Sequence, residues 1–200
     1  MFKERIAIIK RKTTETDIMV KINLDGNGKD KIKSEIPFLN HMLTLFCKHG
    51  FFDLEVSLQG DLEIDAHHSL EDLGICLGRA IREALGNKKG IKRYGYFLLP
   101  MDESLVSISL DISGRGRLFY RIPKEKINRI GNIDGEVWQE FFLALAYESG
   151  ITLHIDLLSG ENTHHIIEAI FKGFARALDQ AVREERRLEG RVPSSKGMLA

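Results

Sequence analysis

The chain carries one pattern twice, and this restricts its fold more than any composition figure does. Residues 15–28 (ETDIMVKINLDGNG) lie over residues 103–116 (ESLVSISLDISGRG). Both segments begin with Glu, alternate apolar and polar side chains, and close on Gly-x-Gly. Period-two alternation describes a half-buried strand, and the glycines a turn after it. Residues 67–85 (HHSLEDLGICLGRAIREAL) lie over residues 164–182 (HHIIEAIFKGFARALDQAV) without a gap. His67/His164, His68/His165, Glu71/Glu168, Arg79/Arg176, Ala80/Ala177 and Ala84/Ala181 are identical.

The intervening segments agree with the duplication. Residues 37–49 predict a helix with Leu39, Met42, Leu43 and Phe46 on one side and Gly50 stopping it. Residues 136–149 predict its partner, with Phe141, Phe142, Leu145 and Gly150. A strand follows each, over 51–58 and 151–158, and a glycine turn (Gly60, Gly160) leads into the HHxxE helix. The expected fold is therefore α+β, or α/β: two fused β-β-α-β-α halves, residues 1–95 and 96–200, in one compact unit. Helices lie on one face of each sheet. The linker runs over about 86–101, and the tail, 190–200, reads as irregular.

The duplicated HHxxE motif is where chemistry is expected. Adjacent helical residues point about 100° apart, so two neighbouring imidazoles do not share one ion. Glu71 lies three residues after His68 and four after His67, so it can share a face with either. A symmetric solution gives one ion His68, Glu71 and His164, and the other His165, Glu168 and His67. His41 and His154 are spare, and each can complete a site. Imidazole with carboxylate suits Mn, Fe, Zn, Co or Ni.

Composition limits the partners. With 29 Lys+Arg against 29 Asp+Glu, the formal charge is +0, which argues against nucleic acid or a membrane surface held by bulk charge. Cys47 and Cys76 form no CxxC pair and read as core thiols in a reducing compartment. No apolar run approaches the roughly 20 residues of a membrane span. The first sixteen residues lack an apolar signal core and read as the start of a strand, so a cytoplasmic location is expected.

Several motifs together resemble one family over nearly the whole chain, from Arg11 to Leu199. They are NHML (40–43), HGFFDL (49–54), DAHHSLED (65–72), GIKRYG (90–95) and PMDE (100–103), followed by SGR (113–115), LHI (153–155), NTHHIIEA (162–169) and VPSSKG (192–197). The chain resembles the imidazoleglycerol-phosphate dehydratase family. The resemblance implies a ribosomal protein S5 domain 2-like fold and dehydration of D-erythro-imidazole-glycerol phosphate to imidazole-acetol phosphate, a step of histidine biosynthesis. It further implies two Mn2+ ions per active site and a homo-oligomer, a 24-mer built from trimers, with sites at subunit interfaces. One ion would take His41, His68, Glu71 and His164. The other would take His67, His154, His165 and Glu168.

The reacting carbon is a weak acid, and the substrate's imidazole is the available electron sink, so an ion on a ring nitrogen would stabilise developing charge. A base must take the carbon proton. Glu15, in the TET motif, is the first candidate and its repeat partner Glu103 the second. Glu71 and Glu168 serve only if not committed to metal. For the phosphate, Arg93 and Arg115 offer guanidinium forks, and Ser194, Ser195 and Lys196 offer donors from the tail. Lys172, one helical turn after Glu168, can face the same site. His49 reads either as a favourable helix-end cation or as a substrate contact. Asp65 and Asp72 are candidates to orient the histidines. A dinuclear hydrolase, a metal buffer and an RNA-binding module are the competing readings.

Overall fold

The structure, a computed structural model, describes residues 5–199. The first four residues of the segment expected to begin a strand, and Ala200, lie outside it. Each half builds a four-stranded mixed sheet. The first contains β1 (Ile6–Lys12), β2 (Thr16–Asn23), β3 (Asp30–Lys33) and β4 (Asp53–Gly60), in the order β1-β2-β4-β3. The second contains β5 (Tyr94–Met101), β6 (Ser104–Asp111), β7 (Arg117–Arg121) and β8 (Thr152–Ser159), in the order β5-β6-β8-β7. In both, the last-placed strand runs parallel to its neighbour and the other pairings are antiparallel.

The duplication in the sequence is thus a duplication of topology. Each half adds one short strand, β3 or β7, to the two strands expected before its first helix. The expected helices are α1 (Pro37–Gly50) and α3 (Val137–Ser149), and the HHxxE motifs open α2 (His67–Leu85) and α4 (Thr163–Val182).

The two halves share one core. Helix α2 covers β1 and β2, and α4 covers β5 and β6, but α3 of the second half packs on α2 and α1 of the first half on α4. Gly74 makes the α2–α3 approach possible, since a Cβ there would stand 2.4 Å from the Phe141 carbonyl oxygen. Phe46, Phe142, Phe171 and Phe174 are fully buried around the α1–α4 crossing. Cys47 and Cys76 lie in this core, and burial raises their thiol pKa values to about 12 and about 11.

The outer faces of the two sheets differ. On the first, Lys10, Lys12, Lys21, Lys31 and Lys33 are exposed, beside the exposed Ile6 and Ile8 of β1. On the second, Tyr94, Tyr96, Leu98, Phe119 and Leu158 are exposed.

Candidate metal and dehydration site

The first turn of α4 is fixed by its N-cap: the Asn162 side chain accepts from the backbone N–H groups of His164 and His165. From there His164 Nε2 approaches Glu168 Oε2 at 3.2 Å, one turn on. His41, from α1, lies 4.0 Å from the same carboxylate. Donor atoms of these three residues all fall within 4.8 Å of one another, as a metal ligand set requires. The repeat partners behave alike, with His67 Nε2 at 3.6 Å from Glu71 Oε2. There Phe141 stands at the repeat position of His41, so among the described residues no third donor converges on His67 and Glu71 as it does in the other copy.

The second histidine of each motif points elsewhere and is held by a carboxylate. His68 Nδ1 donates to Asp61 Oδ2 at 2.9 Å, and His165 Nδ1 donates to Glu103 Oε2 at 2.8 Å. Each bond directs the ring's Nε2 lone pair outward, the arrangement that metal-binding histidines use. The bonds to Asp61 and Glu103 raise the pKa values of these imidazoles above the ordinary 6.5. Without metal, the charged forms stabilise the fold below 6.5, and that contribution is lost as pH rises through the raised values. Metal requires the neutral ring, so uptake competes with protons. Metal uptake by the stripped protein is therefore expected to weaken steadily from about pH 8 to pH 6. A titration independent of pH over that range would contradict the role of these rings.

The partition that the resemblance implies need not be completed inside one chain. Within one chain Glu168 stands with His164 and His41, not with His67, His154 and His165, and Glu71 stands with His67, not His68. The cause is side-chain direction: here the i,i+4 pair meets, while the i+1 imidazole turns to the preceding loop or hairpin. Asp72, proposed to orient a histidine, faces Arg11 and Thr16 instead. Asp65, just before α2, accepts the His67 N–H at 2.7 Å. The residue that aims His68, Asp61, carries no sequence signal, since it lies in the turn between β4 and α2.

His154 lies apart from the cluster. Leu153 and Ile155 are buried on the helix side of β8, so His154 emerges on the outer face. It stacks on Phe119 with ring centroids 4.3 Å apart. Its Nδ1 accepts from Arg121 Nη2 at 3.2 Å, so a ligating His154 must first exchange this bond.

The expected phosphate groups divide between two places. Lys172 pairs with Glu168 beside the cluster. Burial raises the Glu168 pKa, but Lys172, His41 and His164 outweigh it and hold the carboxylate below its usual value. His49 lies by the same stretch of α4, where burial and then the charges of Lys172 and Arg176 lower its pKa and keep the ring neutral. Arg115 is exposed in the turn after β6, and Ser195 and Lys196 are exposed in the tail, with Ser194 partly buried.

Arg93 already has partners within the chain. Its fork is occupied by both Asp111 oxygens, at 2.7 and 3.1 Å, and Nη1 donates to the Pro193 carbonyl at 2.8 Å. In this chain it secures the tail. Arg93, Arg115 and the tail gather where β5 begins and β6 ends. Glu103 and the cluster lie at the opposite end of those eight-residue strands, about 25 Å away at the ordinary rise.

Glu15 and Glu103 also diverge. Glu103 is bonded to His165 and to the backbone N–H groups of Asn162 and Glu161, which together hold its pKa far below the usual range. The Glu15 side chain is half exposed, and its carboxylate lies 3.9 Å from His68 Nδ1.

A two-halved α+β chain that gathers imidazoles and carboxylates at the starts of two equivalent helices falls in the class of proteins with a candidate His/carboxylate metal site. Within that class the comparisons with known proteins are specific. The family model described as imidazoleglycerol-phosphate dehydratase matches residues 34–178. The imidazoleglycerol-phosphate dehydratase of Caldanaerobacter subterraneus subsp. tengcongensis is 56% identical over 98% of this chain and 100% of its own length. That of Acetivibrio thermocellus is 56% identical over 96% and 97%. Among solved structures, the Staphylococcus aureus enzyme superposes with a TM-score of 0.80 at 40% identity, covering 90% of this chain and 99% of that one. The Pyrococcus furiosus enzyme superposes at 0.82 and 38%, covering 96% and 100%. The chain belongs to the imidazoleglycerol-phosphate dehydratase family.

Proposed function

We propose that the chain dehydrates imidazole-glycerol phosphate to imidazole-acetol phosphate, using two Mn2+ ions per site. The observation that carries this reading is the convergence of His41, His164 and Glu168, within a family whose relatives bear that name. The donor set fits a divalent ion of intermediate softness, since two imidazoles and one carboxylate converge with no thiolate nearby. His41, His164 and Glu168 would hold one ion. His67 and Glu71, with the carboxylate-anchored His68 and His165 and the outward-facing His154, would supply the remaining ligands. When bound, the metal supplies Lewis-acid stabilisation of charge developing on the substrate's imidazole.

The chain's own groups do the rest. Glu15 takes the carbon proton: its carboxylate is free of strong partners, whereas both Glu103 oxygens are engaged. Glu71 and Glu168 are committed to metal. Arg115, Ser194, Ser195 and Lys196 bind the phosphate, Arg93 holds the tail that presents them, and Lys172 and His49 line the wall beside the cluster.

A single chain does not complete this site. His154 lies across a sheet from α4, and the phosphate groups lie a strand's length from the cluster. We infer that copies assemble, with the sheet face and tail of one chain meeting the helix starts of another. The exposed Tyr94, Tyr96, Leu98, Phe119 and Leu158 around His154 support such a contact. Among the described residues no helix is long and apolar enough to cross a membrane.

The direct test is turnover. Metal-stripped protein should form no imidazole-acetol phosphate, and Mn2+ should restore it. Turnover that survives complete chelation, or none in the metal-loaded assembly, would refute the reading.

A further inference from the structure

The turn that carries Glu15 is anchored from inside the protein, not by Glu15 itself. Asp72, the residue after Glu71, is 7% exposed, and Thr16 is 4% exposed. The Thr16 hydroxyl donates to Asp72 Oδ2 at 2.6 Å, and Arg11 Nε donates to the other oxygen at 2.9 Å. With its proton committed there, Thr16 Oγ1 is the acceptor for the Thr13 hydroxyl at 3.3 Å. Thr13 Oγ1 in turn accepts the backbone N–H groups of Glu15, at 3.1 Å, and Thr16, at 2.9 Å. The Glu15 carbonyl accepts from the N–H of Asp61 at 3.1 Å, the residue whose carboxylate aims His68.

The second half of the repeat lacks this device. Ala169 stands where Asp72 does and Ser104 where Thr16 does, and the Ser104 hydroxyl bonds directly to Glu103 at 3.0 Å. The copies have diverged: one uses its glutamate to brace His165, and the other braces the backbone and leaves the Glu15 carboxylate free. We propose that Thr16 and Asp72 are positioning residues that hold Glu15 at the reacting carbon. This rests on the reading of Glu15 as the base.

Four proteins distinguish the possibilities, each assembled and Mn-loaded: Thr16→Val, Thr16→Ser, Glu15→Gln and Glu15→Gln combined with Thr16→Val. Thr16→Val should lower kcat about 30-fold, within the roughly 100-fold that an ångström of misplacement costs. KM and bound metal should stay within about twofold, a split that general loosening of the fold does not give. Thr16→Ser, which keeps the hydroxyl, should remain within about threefold of wild type. Thr16→Val should cost nothing further in the Glu15→Gln background, because the two act as one unit. An equal loss in both backgrounds, or no loss in either, overturns the proposal. A wild-type kcat in Glu15→Gln alone instead overturns the reading of Glu15. If Thr16→Val does not assemble, Thr13→Ala, at a half-buried position that receives the Glu15 N–H, carries the same comparison.

Discussion

Glu168→Gln should lose about one metal ion per chain, and dehydration should fall at least about 10³-fold, equivalent to about 4 kcal/mol of transition-state stabilisation. Glu168 is 7% exposed and is the one carboxylate in the group it forms with His41 and His164. The neutral amide removes the charge that makes the set attractive to a divalent ion. It also deprives the half-buried Lys172 ammonium of its carboxylate partner, and the uncompensated charge repels the ion further. The metal-free fold should change less, because the core of α4 rests on Phe171, Phe174 and Leu178, all 1% exposed or less. Metal analysis alongside activity checks this. Full metal content with lost activity would assign Glu168 a role other than ligation.

The second large effect separates two glutamates that the repeat makes equivalent. Glu15→Gln should reduce kcat by about 10²- to 10⁴-fold, the usual contribution of a positioned base, with metal content unchanged. Glu103→Gln should instead weaken metal binding by about 10- to 100-fold, the usual effect of losing the carboxylate behind a ligating histidine. Stopped-time product assays and metal titrations on the two variants give the answer. A Glu15→Gln enzyme that turns over normally, or a Glu103→Gln enzyme that binds metal normally, contradicts the assignment.

Much of the fold was legible because duplication and alternation act over many residues. The matched segments 15–28 and 103–116 became β2 and β6 at equivalent places in two sheets of the same order. The missing strands have physical reasons. β3 (DKIK) and β7 (RLFYR) are four and five residues long and lie at sheet edges, where charged side chains are tolerated and no core-facing run is needed. The packing of α1 on α4 and α3 on α2, across the halves, has no local signal.

The site was legible in its residue types and less so in its grouping. HHxxE spacing allowed Glu71 to face either histidine, and side-chain direction selected His67. The outward aim of His154 was present in the sequence, since Leu153 and Ile155 flank it and alternation places it on the opposite face. Asp61, the Arg93–Asp111 fork and the Asp72–Thr16 link could not be read. Each depends on a contact that the chain makes only after folding.

One measurement tests most directly whether a single chain holds only part of a dehydration site. His154→Ala and Glu168→Gln should each be inactive when expressed alone. Co-expressed in equal amounts and isolated as mixed assemblies, they should regain about a quarter of wild-type activity. At random mixing, one site in four pairs an intact helix cluster with an intact sheet face from another chain. Mixed assemblies as inactive as either parent would place His154 and Glu168 of the same chain in one site, and would contradict the account.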